Sequence, residues 1–253
     1  MANNNKTQLN MVIPDWDVPH YVKALSTTRV GGVSKLPFNS FNLAHHVGDD
    51  PESVNTNRTI LRREWLLPHE PYWLNQTHST RVIHVTDKAE DRNADASWTE
   101  QTKTVCTVMT ADCLPLLMYQ SNPDSVAATH AGWRGLLEGI IENTITSLPG
   151  DVRTIKVWLG PAIGPRAFEV GTEVKQAFTD YDQSSERCFK PSINTDKYLA
   201  DLYQLAILRL KAAGVTDISG GNYCTFAEQD SFYSYRRDGE TGRMASLIWL
   251  EHR

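Results

Sequence analysis

Three residues far apart in the chain, His78, Cys113 and His130, have the donor types of a transition-metal site. Each falls at the same kind of place in the sequence pattern. His78 sits in Thr77-His78-Ser79, a break between two extended stretches. Cys113 lies just past Thr104 to Thr110, a strand pattern rich in β-branched residues. His130 ends the short apolar strand Val126 to Thr129. Neighbouring strand ends in a sheet converge in space, and ligands bind there. Two imidazoles and a thiolate suit Zn²⁺, and three protein ligands leave a fourth position for water or substrate, the pattern of a catalytic rather than a structural zinc. Copper competes for the same nitrogen and sulfur donors. A bound metal would hold Cys113 as thiolate. No short spacing signature ties the three together, so residue types alone leave open a buried cysteine and two ordinary hydrogen-bonded histidines. His20, His69, His84 and His252 carry no such positional argument.

The elements that must position these residues follow from periodicity and turn chemistry. After His130-Ala131-Gly132-Trp133-Arg134-Gly135 the chain turns helical over 135–147. Leu136, Leu137, Ile140, Ile141, Thr144, Ile145 and Leu148 recur there at helical spacing. Arg134 then lies beside a helix N-terminus, where backbone N–H groups and the dipole favour an anion. Trp16 to Thr28 reads as an entering strand, followed by the turn at Gly31-Gly32 and a polar loop through His45-His46. Asp50-Pro51 opens a helix to about Trp65, with Asp50 as cap. Residues 72–76 and 81–85 read as strands, and 87–102 as a polar surface loop whose Ala94-Asp95-Ala96 lies nearer the core. Further strands are expected at 116–119, 155–159, from 218 through 225, at 232–237 and at 244–250, with helices near 171–180 and 198–212. Strands and helices interleave, so mixed sheets covered by helices are expected.

The 253-residue chain can bury a substantial core, and 40% hydrophobic residues is ordinary for a soluble protein. A net charge of −5 with no basic run argues against a general nucleic-acid binder. No stretch reaches the roughly 20 apolar residues of a membrane span, and the polar start Met1-Ala2-Asn3-Asn4-Asn5-Lys6 lacks the apolar region of a signal peptide. Cytoplasm is the default, with residues 1–10 flexible and 11–253 forming one domain. The four cysteines form no Cys-x-x-Cys pair and are too sparse for a disulfide framework.

Three segments carry a resemblance that covers nearly the whole chain: Gln76-Thr77-His78-Ser79, Ala111-Asp112-Cys113-Leu114-Pro115 and His130-Ala131-Gly132-Trp133-Arg134-Gly135. They resemble the motifs of the bacterial YfiH family, also described as the multicopper polyphenol oxidase (laccase-like) or peptidoglycan editing factor family. Thr28 to Ser34, Asn42-Leu43 with His46 to Asp49, Gly160 to Pro165 and Tyr233 to Asp238 support it in the same order. The resemblance implies an α+β fold with mixed β-sheets in an α/β/β/α layering. It implies zinc on His78, Cys113 and His130, and an activity on purine nucleosides. That activity is phosphorolysis of adenosine, inosine and methylthioadenosine, together with adenosine deamination. Copper-dependent phenol oxidation has also been ascribed to the family. The expected partners are a nucleoside and phosphate, with the chain a monomer or homodimer.

Phosphorolysis must hold phosphate near the anomeric carbon, stabilise charge on the sugar and polarise the departing base. Arg29 beside Gly31-Gly32, and Arg134, are candidates for phosphate, with structural ion pairs as the alternative. Asp112 and His46 are candidates for proton transfer or ribose contacts, alongside His78 and Cys113 as catalytic groups. Asp112 reaches the site only if its strand has already broken, because in an extended chain it points away from the side Cys113 faces. The His-x-Glu and Pro-Cys-x-x-Cys signature of nucleobase deaminases is absent. Eight histidines without a His-x-His pair are a poor supply for a four-copper laccase. A different class is a cysteine hydrolase, with Cys113 as nucleophile and His130 or His78 as base, which also fits the editing-factor name.

Overall fold

A computed structural model describes residues 10–86 and 90–252. The first half of the chain holds β1 (Met11–Val12), β2 (Val22–Thr27), α1 (Pro51–Glu64), β3 (Val82–His84), β4 (Ala96–Thr99), β5 (Cys106–Thr110) and β6 (Leu114–Gln120). Then come β7 (Ser125–Ala131), α2 (Trp133–Glu138), α3 (Ile140–Ser147), β8 (Ile155–Leu159), β9 (Glu169–Gly171) and α4 (Thr172–Tyr181). The last are β10 (Phe189–Pro191), β11 (Lys197–Ala200), α5 (Leu202–Ala212), β12 (Asp217–Gly220), α6 (Tyr235–Asp238) and β13 (Met244–Leu250).

These elements build two large sheets and one small one. The six-stranded sheet runs β12-β8-β6-β7-β4-β3 and is mixed, with β12–β8 and β3–β4 parallel and the other pairs antiparallel. The four-stranded sheet runs β1-β2-β13-β5 and is antiparallel throughout. β10-β11-β9 forms the third.

Alternation along the strands sorts side chains into layers. Leu117 and Tyr119 of β6, Val126 and Ala128 of β7, Cys106 and Val108 of β5, and Ile248 and Leu250 of β13 meet in one core between the large sheets. The opposite faces carry separate cores. Leu116 and Met118 pack with Ile140, Ile141 and Leu205 of the helices on one side. Leu247 and Trp249 pack with Leu61 of α1 on the other. The result is the α/β/β/α order of a mixed-sheet α+β fold. Among the described residues no helix is long and apolar enough to cross a membrane.

Asp50 caps α1 as its sequence implies, its carboxylate accepting from the N–H groups of Glu52 and Ser53, with Pro51 in the first turn. Several boundaries differ from the sequence pattern. The 135–147 helix is two helices, because Gly139 adopts φ 101° and ends α2 where α3 begins. Residues 72–76 form no strand and touch their neighbours through isolated bridges at Tyr72 and Asn75. The 198–212 helix starts only at Leu202, after β11. The region from 218 is strand only to Gly220, and 235–238 is helical. The largest difference lies in the 87–102 segment. It contains β4, which pairs with β3 and β7 and is mostly buried. Residues 87–89, and all but Asn10 of the expected flexible terminus, lie outside the described residues.

Candidate metal centre

Two strand ends and a loop bring the three donors together, since His78 lies in an irregular segment rather than in the expected break between two strands. β5 stops at Thr110 and β6 starts at Leu114, and between them Asp112 takes φ 95°, so Cys113 turns toward the gap between the large sheets. His130 is the penultimate residue of β7, on the same face as Val126 and Ala128. His78 occupies a loop and has φ 62°. The ligand atoms of His78, Cys113 and His130 lie within 4.8 Å of one another, with His78 exposed and His130 buried. Cys113 Sγ and His78 Nε2 are 3.6 Å apart. A tetrahedral zinc with ordinary bond lengths sets a sulfur and a nitrogen ligand ~3.5 Å apart, so the donor chemistry and this spacing fit that ion. Among the described residues this is the one His/Cys/Asp/Glu group of metal-holding geometry.

The electrostatics are those of a coupled site. Burial pushes the Cys113 thiol up, but the His130 charge and hydrogen bonds from both histidines outweigh it and bring it down to about 6. Burial pushes His130 down, while the Cys113 thiolate and the Asp95 hydrogen bond lift it to about 9. Asp95 is itself buried, which raises its carboxyl, yet hydrogen bonds from His130 and Ser79 pull it to about 2. Each shift favours the charged form of its group, so Cys113 and His130 stabilise one another as thiolate and imidazolium, and a metal taking both as ligands would compete with the proton on His130.

The cluster opens into a cavity of about 570 Å³, within the usual small-molecule range. Three arginines line it, and each lies near an aromatic ring. Arg134 sits over Trp133, Arg236 over Phe168 and Arg243 over Tyr235, at 4.4, 5.5 and 5.8 Å from the ring centroids. Met109, Ala111 and Ile163 add apolar wall. Arg134 has no hydrogen-bond or ion-pair partner among the described residues and is exposed. α2 has only six residues, so an anion here would rest on the guanidinium rather than on the helix end.

The structure brings together His46, His78, Asp112, Cys113, His130 and Arg134 around this cavity. His46 sits on a single 3₁₀ turn, His45–Val47. Asp112 faces the cavity, yet both its oxygens are engaged. Oδ1 accepts the Thr225 hydroxyl at 2.6 Å and Oδ2 accepts the Arg236 N–H at 2.7 Å. Arg29 is not part of the cavity. It lines a separate cleft with Asn39, Gln229 and Arg237, and its guanidinium donates to the carbonyls of Asn39 and Gln229. Sequence reasoning did not single out Arg243, Arg236, Tyr235 and Phe168 as site residues: Phe168 and Arg243 lie in irregular segments, and Tyr235 and Arg236 lie on the short α6, in a stretch the pattern reads as strand. It also missed the role of Asp95, although its place nearer the core was legible.

A family model described as multi-copper polyphenol oxidoreductase laccase matches residues 23–251. The chain belongs to this family. A Haemophilus influenzae relative named purine nucleoside phosphorylase is 49% identical over 244 residues, covering 96% of this chain and all of the relative. The Escherichia coli relative, purine nucleoside phosphorylase YfiH, is 49% identical over 95% of this chain and 98% of its own. Among solved structures, a Neisseria meningitidis protein shares 48% identity with TM-score 0.91, over 96% of this chain and 100% of its own. YlmD from Geobacillus stearothermophilus shares 30% identity with TM-score 0.86, over 96% and 100%.

Proposed function

We propose that this chain is a zinc-dependent purine nucleoside enzyme. It phosphorolyses adenosine, inosine and methylthioadenosine to free base and the sugar 1-phosphate, and it deaminates adenosine. The observation that carries this reading is the shared cavity, in which the His78–Cys113–His130 cluster faces Arg134, Arg236 and Arg243 and three aromatic rings. The names of the relatives support it. His78, Cys113 and His130 would hold the zinc, which supplies Lewis acidity to an oxygen of substrate or water.

The chain's own residues supply the rest. The guanidinium of Arg134, which has no hydrogen-bond partner among the described residues, and that of Arg243, which donates to the carbonyls of Thr241 and Gly242, hold the phosphate. Trp133, Phe168 and Tyr235 give flat walls for a purine. His46 stays neutral, its pKa lowered by burial and then by Arg243, Arg58 and His45, so it can accept a proton near the sugar. Asp112, with both oxygens engaged, anchors α6 and its Tyr235 and Arg236 beside the centre.

The test is product identification from adenosine plus inorganic phosphate with zinc-loaded protein. Adenine with ribose 1-phosphate marks phosphorolysis, and inosine marks deamination. Folded, zinc-loaded protein that forms neither overturns the reading. A second reading is a cysteine hydrolase, favoured by the Cys113–His130–Asp95 alignment, with Asp95 Oδ1 2.7 Å from His130 Nδ1. It predicts activity that survives chelation and dies on rapid alkylation of Cys113. The zinc reading predicts loss on chelation and slow alkylation until the metal is removed.

A further inference from the structure

One buried carboxylate reaches both histidines. Asp95 Oδ1 accepts the ring Nδ1–H of His130 at 2.7 Å and the backbone N–H of His78 at 3.0 Å. Oδ2 accepts the N–H groups of Thr77 and Ser79, at 3.1 and 2.7 Å, and the Ser79 hydroxyl at 2.7 Å. The Asp95 carbonyl also accepts the backbone N–H of His130 at 2.7 Å. Asp95 itself is fully buried at the residue just before β4.

We infer that Asp95 is a positioning residue for both histidines of the centre, holding His130 through its ring and His78 through its backbone. It ties up Nδ1 of His130, so that only Nε2 of that ring is free to act as ligand. It also folds residues 77–79 around itself, which holds His78 at φ 62°, a conformation that a side chain larger than glycine adopts rarely without such support. This inference rests on the zinc part of the reading above and deepens it, because the two ligands share one support although they lie far apart in sequence.

Asp95→Asn separates this from a purely structural role. An amide offers one acceptor oxygen, so it satisfies either the two histidine donors or the three donors of residues 77–79, and turns N–H against N–H on the other side. The experiment measures Zn²⁺ affinity by chelator competition on folded wild type, Asp95→Asn and Ser79→Ala. Wild type binds zinc, Asp95→Asn binds about 10- to 100-fold more weakly, and Ser79→Ala, which keeps both histidine contacts, stays within about threefold. A folded Asp95→Asn with wild-type affinity overturns the inference while leaving the zinc reading intact. Wild type that binds no zinc overturns both. If Asp95→Asn does not fold, wild-type protein still decides. With ¹¹³Cd and ¹⁵N-histidine, metal coupling appears at Nε2 of His130 and its Nδ1 keeps a slowly exchanging proton. Coupling at Nδ1 overturns the inference.

Discussion

A Cβ on Gly132 would lie 2.5 Å from Cδ2 of His78, and it would also crowd Sγ of Cys113 at 3.1 Å. The backbone does not demand glycine here, since φ −66° and ψ 159° are open to any residue. Glycine is required by space alone, and the space belongs to His78 and Cys113, two of the three residues of the candidate metal centre. The Gly132 of His130-Ala131-Gly132-Trp133 therefore reports on the centre rather than on the turn.

Gly132→Ala should fold, with an overpacking cost of about 1–3 kcal/mol, but it should displace His78. Zinc affinity should fall about tenfold or more, the size expected when a ligand loses its orientation. Thermal melting of the chelated protein, paired with chelator competition, checks this. Wild-type zinc affinity in the folded variant would show that His78 has room to move without consequence.

Arg134 and Arg29 make opposite predictions. Arg134 is exposed and has no hydrogen-bond partner among the described residues, so Arg134→Ala should change stability by no more than about 0.5 kcal/mol. Losing one charge-assisted hydrogen bond to phosphate costs about 1.5–3 kcal/mol, so the phosphate KM should rise roughly 10- to 100-fold. Arg29 bonds to the carbonyls of Asn39 and Gln229 in a different cleft. Arg29→Ala should instead lose about 1–3 kcal/mol of stability and leave the phosphate KM near wild type. Denaturant titration and phosphate-saturation kinetics on both variants separate the two roles.

The contrast shows what a linear pattern reveals. Cys113 and His130 drew notice because each follows or ends a β-branched or apolar run, but the grouping of His78 with them rested on the family resemblance, since residue types alone left ordinary roles open and 72–76 is not a strand. Mixed sheets covered by helices were legible from the interleaving of strand and helix patterns, whereas the α/β/β/α layering came with the family resemblance; β6, β7 and β13, buried along their whole length, are its central strands. β4 was not legible. Ala96, Ser97, Trp98 and Thr99 are small or polar for the most part, yet all but Trp98 are buried where the sheets leave little room. Hydrophobicity cannot register a strand selected for small volume. The place of Asp95 nearer the core was legible but its role was not, because nothing in a linear pattern shows that five donors from residues 77–79 and 130 converge on it. Arg29 erred the other way, since paired glycines beside an arginine look like an anion loop. Gly32 in fact meets the Ser40 carbonyl, where a Cβ would lie 2.2 Å away.

His46 gives a pH prediction. Burial and then the nearby Arg243, Arg58 and His45 lower its pKa below 6.5. A base lowered by folding contributes stability that is whole above its unfolded pKa, and that contribution falls away as pH drops below about 6.5. His46 is therefore neutral at pH 7 and charges only in acid. Its imidazole resonances should titrate below the free-histidine midpoint, and Arg243→Ala should move that midpoint upward, because one of the repelling charges is gone. A midpoint unchanged in Arg243→Ala would mean that Arg243 does not act on His46.

Removing the metal should act on stability as well as on turnover, and Cys113→Ser isolates that effect. A serine hydroxyl does not ionise as the Cys113 thiol does at about 6, so the variant loses its anionic ligand while keeping nearly the same shape. An ion that binds only the folded chain stabilises it by about 2.7 kcal/mol at a hundredfold excess over Kd. For a chain of this size that is roughly 5–10 °C in Tm. Chelator should lower the Tm of wild type by about that much and leave Cys113→Ser unmoved, with the variant's Tm close to that of chelated wild type. Activity should drop by more than the about 10- to 100-fold typical of losing a ligand's supporting partner. Differential scanning with and without chelator on both proteins checks the pair. A Cys113→Ser protein that still loses several degrees to chelator would place the stabilising ion somewhere other than between His78, Cys113 and His130.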